Sequence, residues 1–279
     1  MLQVSQLFVY PIKSLGGVSL TKSKVTARGL AYDRRWMLID DQNRFVSQRE
    51  FSEMALLKVE FEYTDSEISG LIVSHKHKDI FDLYIEIEED FDAKSPIKTI
   101  IWDDEVEAFL VSEEADEWFS EVLQKPLRLV YMAENQERFV DSNYALNNDI
   151  TSFSDGFPIL LLGEESLKDL NQRLTQVVDF DRFRPNIVFS GGASFAEDQW
   201  HEFWVGINQF YAVKPCARCV MTTIDQQTGK GGKEPLSTLN TFRKFGKKIL
   251  FGQNVLPAAI GGMIVVGDEI EIMTRKDEA

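Results

Sequence analysis

Two cysteines, Cys216 and Cys219, stand three apart in the segment Lys214-Pro215-Cys216-Ala217-Arg218-Cys219-Val220-Met221-Thr222-Thr223-Ile224-Asp225. A Cys-x-x-Cys spacing serves zinc ribbons, dithiol redox enzymes and haem attachment alike, so the neighbouring residues must narrow the choice. Structural zinc needs four ligands. Beyond the pair only His75, His77 and His201 are available, in no matching spacing. Haem attachment needs His directly after the second Cys, where Val220 stands. A thioredoxin-like dithiol opens a helix after a strand, whereas Val220 to Ile224 is β-branched and reads as a strand. The chemistry left is that of a single reactive thiolate. Arg218 beside Cys219 supplies a positive charge favouring the thiolate, the form that acts as nucleophile or soft-metal ligand. The competing reading makes both cysteines small buried apolar side chains, and spacing does not decide between them.

Basic and polar residues gather at other turn-like places: Pro11-Ile12-Lys13-Ser14, Tyr32-Asp33-Arg34-Arg35-Trp36 and Arg182-Phe183-Arg184-Pro185-Asn186. Each begins or ends a strand, where side chains converge on a cleft, and Arg with Ser or backbone N–H groups is a usual way to hold phosphate. Taken singly, each also reads as a surface ion pair. No Gly-x-x-x-x-Gly-Lys-Ser/Thr and no Gly-x-Gly-x-x-Gly is present, which removes the two commonest nucleotide signatures.

The elements that must position these residues are mostly short strands. Val4 to Tyr10, Val25 to Thr26, Arg35 to Ile39, Leu57 to Phe61 and the alternating Ile80 to Ile87 make the first hundred residues β-rich. Ser112 to Leu123 has helical spacing and stops before Lys125-Pro126. The second half opens with a strand at Leu127 to Tyr131, then a polar stretch from Glu134 to Asp155 long enough for a lid or a site wall. Glu164 to Val177 predicts a helix burying Leu167, Leu170, Leu174 and Val177, and Pro235 starts another. Strands are expected at Asn186 to Ser190, Gln209 to Val213, Val220 to Ile224 and Met263 to Met273. Many short strands with few helices predict a barrel or strongly curved sheet.

The chain has 279 residues and a net charge of −15, which disfavours nucleic acid or an anionic membrane as partner. The acidity is local: 20 acidic and four basic residues lie between Glu60 and Glu121. That segment reads as a solvated face or as a dock for a basic partner. The longest apolar run, Phe157 to Leu162, is too short to span a bilayer, and the N-terminus lacks a secretory signal, so a cytoplasmic protein with reduced thiols is expected.

Taken together, Tyr10-Pro11-Ile12-Lys13-Ser14, Asp33-Arg34-Arg35-Trp36, Phe183-Arg184-Pro185-Asn186, Cys216-Ala217-Arg218-Cys219 with Thr222-Thr223-Ile224-Asp225, Lys233-Glu234-Pro235-Leu236 and Phe251-Gly252-Gln253-Asn254 resemble, in order, the motifs of the MOSC proteins. These are named for the C-terminal domain of molybdenum cofactor sulfurase, and the likeness is to the amidoxime-reducing group. The resemblance implies a mainly β fold with α+β character in two domains. Residues 1–121 would form an N-terminal β-barrel domain, and 130–277 the MOSC domain, a β-barrel with a few helices. It implies that molybdenum cofactor lies between them with Cys219 as metal ligand. Lys13, Ser14, Arg34, Arg184, Asn186, Arg218 and Asn254 would contact the cofactor. The family's Thr-Ser pair is replaced by Asp155-Gly156-Phe157, so Gly156 and Phe157 would contribute backbone N–H groups.

The implied activity is reduction of N-hydroxylated compounds, amidoximes or hydroxylamino-purines, with electrons from a separate ferredoxin- or flavoprotein-type donor. An acidic donor should avoid the Glu60 to Glu121 face, which Glu86, Glu88 and Glu89 would probe. Asp225 is a candidate proton relay, its alternative role being to cap the turn that follows. Two rival functions stand beside this one: a carrier of the cofactor or of sulfur for it, and a phosphate-ligand module, for instance for pyridoxal phosphate.

Overall fold

The computed structural model describes residues 1–87 and 95–276, so Glu88 and Glu89 lie outside the described residues. Alternation of apolar and charged side chains sets the local structure. Strand Leu57–Thr64 buries Leu57, Val59 and Phe61 and exposes Lys58, Glu60 and Glu62, the period-two pattern of a sheet with one wet face. It pairs with Glu67–His75, which pairs with Leu83–Glu86. The acidic segment supplies the wet faces of these strands, of Asp104–Leu110 and of helix α1 (Glu113–Leu123). Ser112 caps α1 by accepting from the Ala115 N–H at 3.1 Å, and Glu113, Glu114 and Asp116 in its first turn suit the helix dipole.

The protein is mainly β, and its largest sheet carries the site. Along that sheet the strands run Val18–Leu20, Gln3–Val9, Ile187–Ser190, Ile159–Gly163, Lys248–Pro257, Asn208–Ala217, Trp200–Val205 and Ile270–Arg275, with Lys244–Phe245 hairpinned onto Lys248–Pro257. Within this sheet Ile159–Gly163 and Ile187–Ser190 are parallel. A parallel pair needs a crossover, and helix α2 (Glu164–Arg173) begins it. The first strand of the chain therefore joins the sheet of the second half, and Met263–Val265 returns to pair with Lys22–Thr26. One apolar core accordingly runs from Val4 and Leu7 through Phe119 to Trp200, Phe203 and Ile270, and it does not divide at 121–130. Trp200 is fully buried, its ring 4.5 Å from that of Phe189 and 5.4 Å from that of Phe203. Among the described residues no helix is long and apolar enough to cross a membrane.

Several expected elements change. Helix α2 stops at Arg173 rather than Val177, because the Asn171 carboxamide brackets both backbone groups of Val178 at 2.9 Å and turns the chain. Val178 is buried in place of Val177, which is 76% exposed. Val220 to Ile224 is a single 3-10 turn over Val220–Thr223 rather than a strand. The Thr222 and Thr223 hydroxyls donate back to the carbonyls of Cys219 and Val220 at 3.0 and 2.7 Å, a local bond that competes with strand pairing. Met263 to Met273 is two strands parted by a turn, and Ile80 to Ile87 forms a strand only at Leu83–Glu86. The polar stretch 134–155 holds a small hairpin, Arg138–Phe139 against Ile150–Thr151. Pro235 precedes helix α3 (Leu236–Phe242), which buries Leu239.

Candidate functional site

Chain segments from both halves of the sequence build one cleft, and Asp33 fastens two of them. Strand Gln3–Val9 ends at Tyr10, whose N–H donates to Asp33 Oδ1 at 2.8 Å, while Arg34 donates to Asp33 Oδ2 at 2.7 Å. Lys13 is set by its N–H to the Trp36 carbonyl at 2.8 Å. Arg34 also reaches Asn186 Oδ1 at 3.2 Å and the Arg184 carbonyl at 3.3 Å. The guanidinium carbons of Arg34 and Arg184 lie 4.3 and 4.1 Å from the centre of the Tyr10 ring, a cation–π arrangement that holds two like charges near each other. Ser14, Arg34 and Arg184 all have positive φ, at 71°, 49° and 58°. Strained backbone of this kind gathers at binding sites.

Another wall is the end of strand Asn208–Ala217 with the turn after it. It brings in Cys216, Arg218 and Cys219. In extended backbone alternate residues share a side. Arg218 therefore donates to the sulfur of Cys216, at 2.9 Å, and to the Phe183 carbonyl. This corrects the expectation that Arg218 charges Cys219. The cation on Cys219 is Arg49, whose Nη2 lies 3.4 Å from Sγ and 3.1 Å from Asp155 Oδ2, with its guanidinium 4.6 Å from the Trp102 ring centre. Burial would lower the Arg49 pKa, but the Asp155 and Cys219 charges outweigh it and raise the value.

Asp155 also accepts from Lys13 Nζ at 2.7 Å, and Lys13 donates to the Phe153 carbonyl at 2.8 Å. Burial is the main influence on Lys13 and pushes it down to about 8 against the opposing pull of Asp155. Burial would raise Asp155, yet Lys13 and Arg49 together hold it well below the usual carboxylate range. Burial, then the Arg34 charge, pushes Arg184 down to about 10. A buried cation disfavoured in this way gains from an anionic ligand.

The cleft encloses about 130 Å³ and shares the wall Asp155–Phe157, Cys216, Ala217 and Asn254 with an adjoining hollow of about 470 Å³. Lys13, Ser14, Arg34, Gly156, Phe157, Arg184, Asn186, Arg218, Cys219 and Asn254 all line it. Asn186 Oδ1 accepts from Arg34 and from the Leu160 N–H, and Nδ2 donates to the Phe8 carbonyl, so it positions Arg34. Asp225 stands outside the lining. Its Oδ1 accepts from Gln227, Thr228 N–H and Thr228 hydroxyl, and Oδ2 pairs with Arg182 at 3.2 Å. Burial would raise its pKa, but these bonds lower it. Oδ1 is committed to the turn and Oδ2 to Arg182, which removes the reason to regard it as a proton relay. Sequence reasoning missed Arg49, in a stretch with no motif of its own.

The lining suits an anionic ligand with a soft metal. Lys13, Arg34, Arg49, Arg182, Arg184 and Arg218 face a single carboxylate, Asp155. Arg184 Nη2 and Arg218 Nε are buried without a hydrogen-bond partner among the described residues, and such groups are costly unless a ligand completes them. No group of three or more His, Cys, Asp or Glu side chains is placed to hold a metal among the described residues. A metal here would need most of its ligands from a cofactor. A Cβ built on Gly156 meets nothing within 4 Å, so Gly156→Val should leave stability within about 0.5 kcal/mol while filling the cleft. Urea unfolding together with molybdenum occupancy checks this; unchanged occupancy would place the ligand elsewhere.

The chain matches two family models, the MOSC N-terminal beta barrel domain over residues 1–126 and the MOSC domain over residues 148–271. Mitochondrial amidoxime-reducing component 1 of Mus musculus is 32% identical over 289 residues, covering 97% of this chain and 82% of that protein. The Homo sapiens protein of the same name is 32% identical over 287 residues, with the same shares. Molybdenum cofactor sulfurase of Oryza sativa subsp. japonica is 30% identical over 274 residues, covering 90% of this chain and 32% of the sulfurase. With both models matched in order along the chain, and a cationic cleft lined by Cys216 and Cys219 and by residues of both matched stretches, the protein belongs to the MOSC family.

Proposed function

We propose that the cleft holds molybdenum cofactor with Cys219 as the one protein thiolate on the metal, and that the protein reduces N-hydroxylated compounds such as amidoximes and hydroxylamino-purines. The observation carrying this is Cys219 on the wall of a cleft with six cations and one carboxylate. Sulfur is a soft donor suited to such a metal, and the cations suit a phosphate. When bound, the cofactor supplies two-electron oxygen-atom chemistry. The chain's own residues bind and orient: Asp33 and Asn186 hold Arg34, and Asp155 holds Arg49 against Cys219 Sγ. Lys13, at about 8, is the lining amine able to exchange a proton near neutral pH. Electrons come from a separate carrier of ferredoxin or flavoprotein type, and a reducing compartment such as the cytoplasm keeps both thiols free.

The sulfurase relative supports a second reading, in which Cys219 carries sulfur or transiently holds cofactor for delivery. A pyridoxal phosphate module gives the thiol no role, and Lys13 Nζ is already committed to Phe153 and Asp155. Elemental analysis of protein made in cofactor-producing cells, with benzamidoxime reduction driven by reduced methyl viologen, decides among them. Near-stoichiometric molybdenum with turnover is the expected result. Metal without turnover favours the carrier, and neither metal nor turnover overturns both.

A further inference from the structure

A strongly basic stretch of this acidic chain lies beside the thiol. Between Gln226 and Leu250 there are six basic residues and one carboxylate, Glu234. Lys230, Lys233, Lys244, Lys247 and Lys248 are exposed, and none forms an ion pair among the described residues. Strands Lys244–Phe245 and Lys248–Pro257 fold as a tight hairpin, Lys244 opposite Ile249 and Phe245 opposite Lys248, turning at Gly246 with φ 58°. Phe245 is 58% exposed near the tip. Like charges gathered on a short hairpin repel one another, and an exposed aromatic among them is the make-up of an interface anchor.

The hairpin is also tied directly to the site. The Arg218 N–H donates to the Ile249 carbonyl at 2.7 Å, and Ala217 stands opposite Leu250. Lys248 lines the hollow shared by Cys216 and Ala217. We infer that this hairpin is the docking surface for an acidic electron-carrier protein, an inference that rests on the reductase reading above. Breaking the N–O bond of an amidoxime takes two electrons and two protons, forms an N–H bond and releases water. The carrier is oxidised in one two-electron or two one-electron encounters. The chain's net charge of −15 repels extended polyanions at long range. It also repels an acidic carrier from the Glu60 to Glu121 segment, which leaves the hairpin as the place of favourable approach.

Binding of the full chain to an oxidised plant-type [2Fe–2S] ferredoxin, an acidic carrier, tests this without relying on turnover. At about 20 mM salt the K244E/K247E variant should bind at least about tenfold more weakly, the difference fading near 500 mM. F245A should weaken binding at both salts, and E60Q/E62Q should not weaken it. A wild-type chain that does not bind, or a K244E/K247E variant that binds as well as wild type, overturns the inference. Viologen-driven benzamidoxime reduction separates the two ideas. Its absence in the wild type sinks the reductase reading while the binding data still judge the hairpin; equal viologen rates with no ferredoxin defect sink the hairpin alone.

Discussion

Cys219→Ser is expected to lower benzamidoxime reduction at least about 100-fold, the upper end of what losing even an indirect metal partner costs, with unfolding free energy within about 0.5 kcal/mol of the parent. The reasoning is that Sγ accepts one hydrogen bond, from Arg49. Arg49 stays fixed by Asp155 and by the Trp102 ring. Serine keeps the shape and an acceptor but replaces a soft sulfur by a hard oxygen. Cys216→Ser is the control, because Cys216 is held by Arg218 and is not assigned to the metal. Viologen-driven rates and urea unfolding of both variants check this. If Cys219→Ser turned over like the parent, or Cys216→Ser were the damaging change, the ligand assignment would fail.

Asp155→Ala should destabilise the protein by about 2 kcal/mol at pH 7, the cost of leaving a buried charged donor without its partner. Lys13 is buried and keeps only the Phe153 carbonyl in that variant. Asp155 itself is 59% exposed, so the loss arises on the lysine side. The two groups work in different pH windows. Asp155 has a folded value below its unfolded one. Its contribution is therefore complete above the unfolded value of about 3.9 and is lost as pH falls through the folded one. Lys13 is depressed to about 8 from an unfolded value of about 10.4. Between those values the unfolded chain binds the extra proton, so this group makes stability rise with pH. The Asp155→Ala deficit should therefore shrink as pH goes from 7 toward 10. Chemical denaturation at a series of pH values reads this directly, and a deficit constant across that range would show that Lys13 is not the group responsible. Turnover should fall as well, because Arg49 loses the carboxylate that holds it on Cys219.

What the sequence made legible follows from how local each signal is. Lys13, Arg34, Arg184 and Cys219 sit in short motifs at strand ends, and strand ends of one sheet converge, so their meeting in one cleft could be anticipated. Arg49 could not, because nothing around Ser47-Gln48-Arg49-Glu50 sets it apart and only the tertiary fold brings it to a sulfur 170 positions away. The pairing of Arg218 with Cys216 turned on which side of an extended backbone each residue faces, and adjacency in sequence suggested the wrong one. Strand Lys248–Pro257, the one that seats Asn254, is not among the strands expected from the sequence, and it carries Gly252 in its interior. Its φ is 80°, and a Cβ there would stand 2.9 Å from the Leu161 carbonyl, so the glycine lets two central strands approach. The turn after Cys219 looked like a strand because threonine favours both, and hydroxyl bonds to nearby carbonyls decided the outcome.

The pairing of Gln3–Val9 with Ile187–Ser190 has a consequence for how the protein is made. At a synthesis rate of roughly 5–20 residues per second, the first strand emerges and then waits about ten seconds or more for its partner, with Arg34 lacking its contacts to Arg184 and Asn186 in the meantime. Lys22–Thr26 waits longer still, for Met263–Val265. The cleft therefore closes only once the chain has been made as far as Asn254, and any cofactor is inserted after that point rather than templating the growing chain.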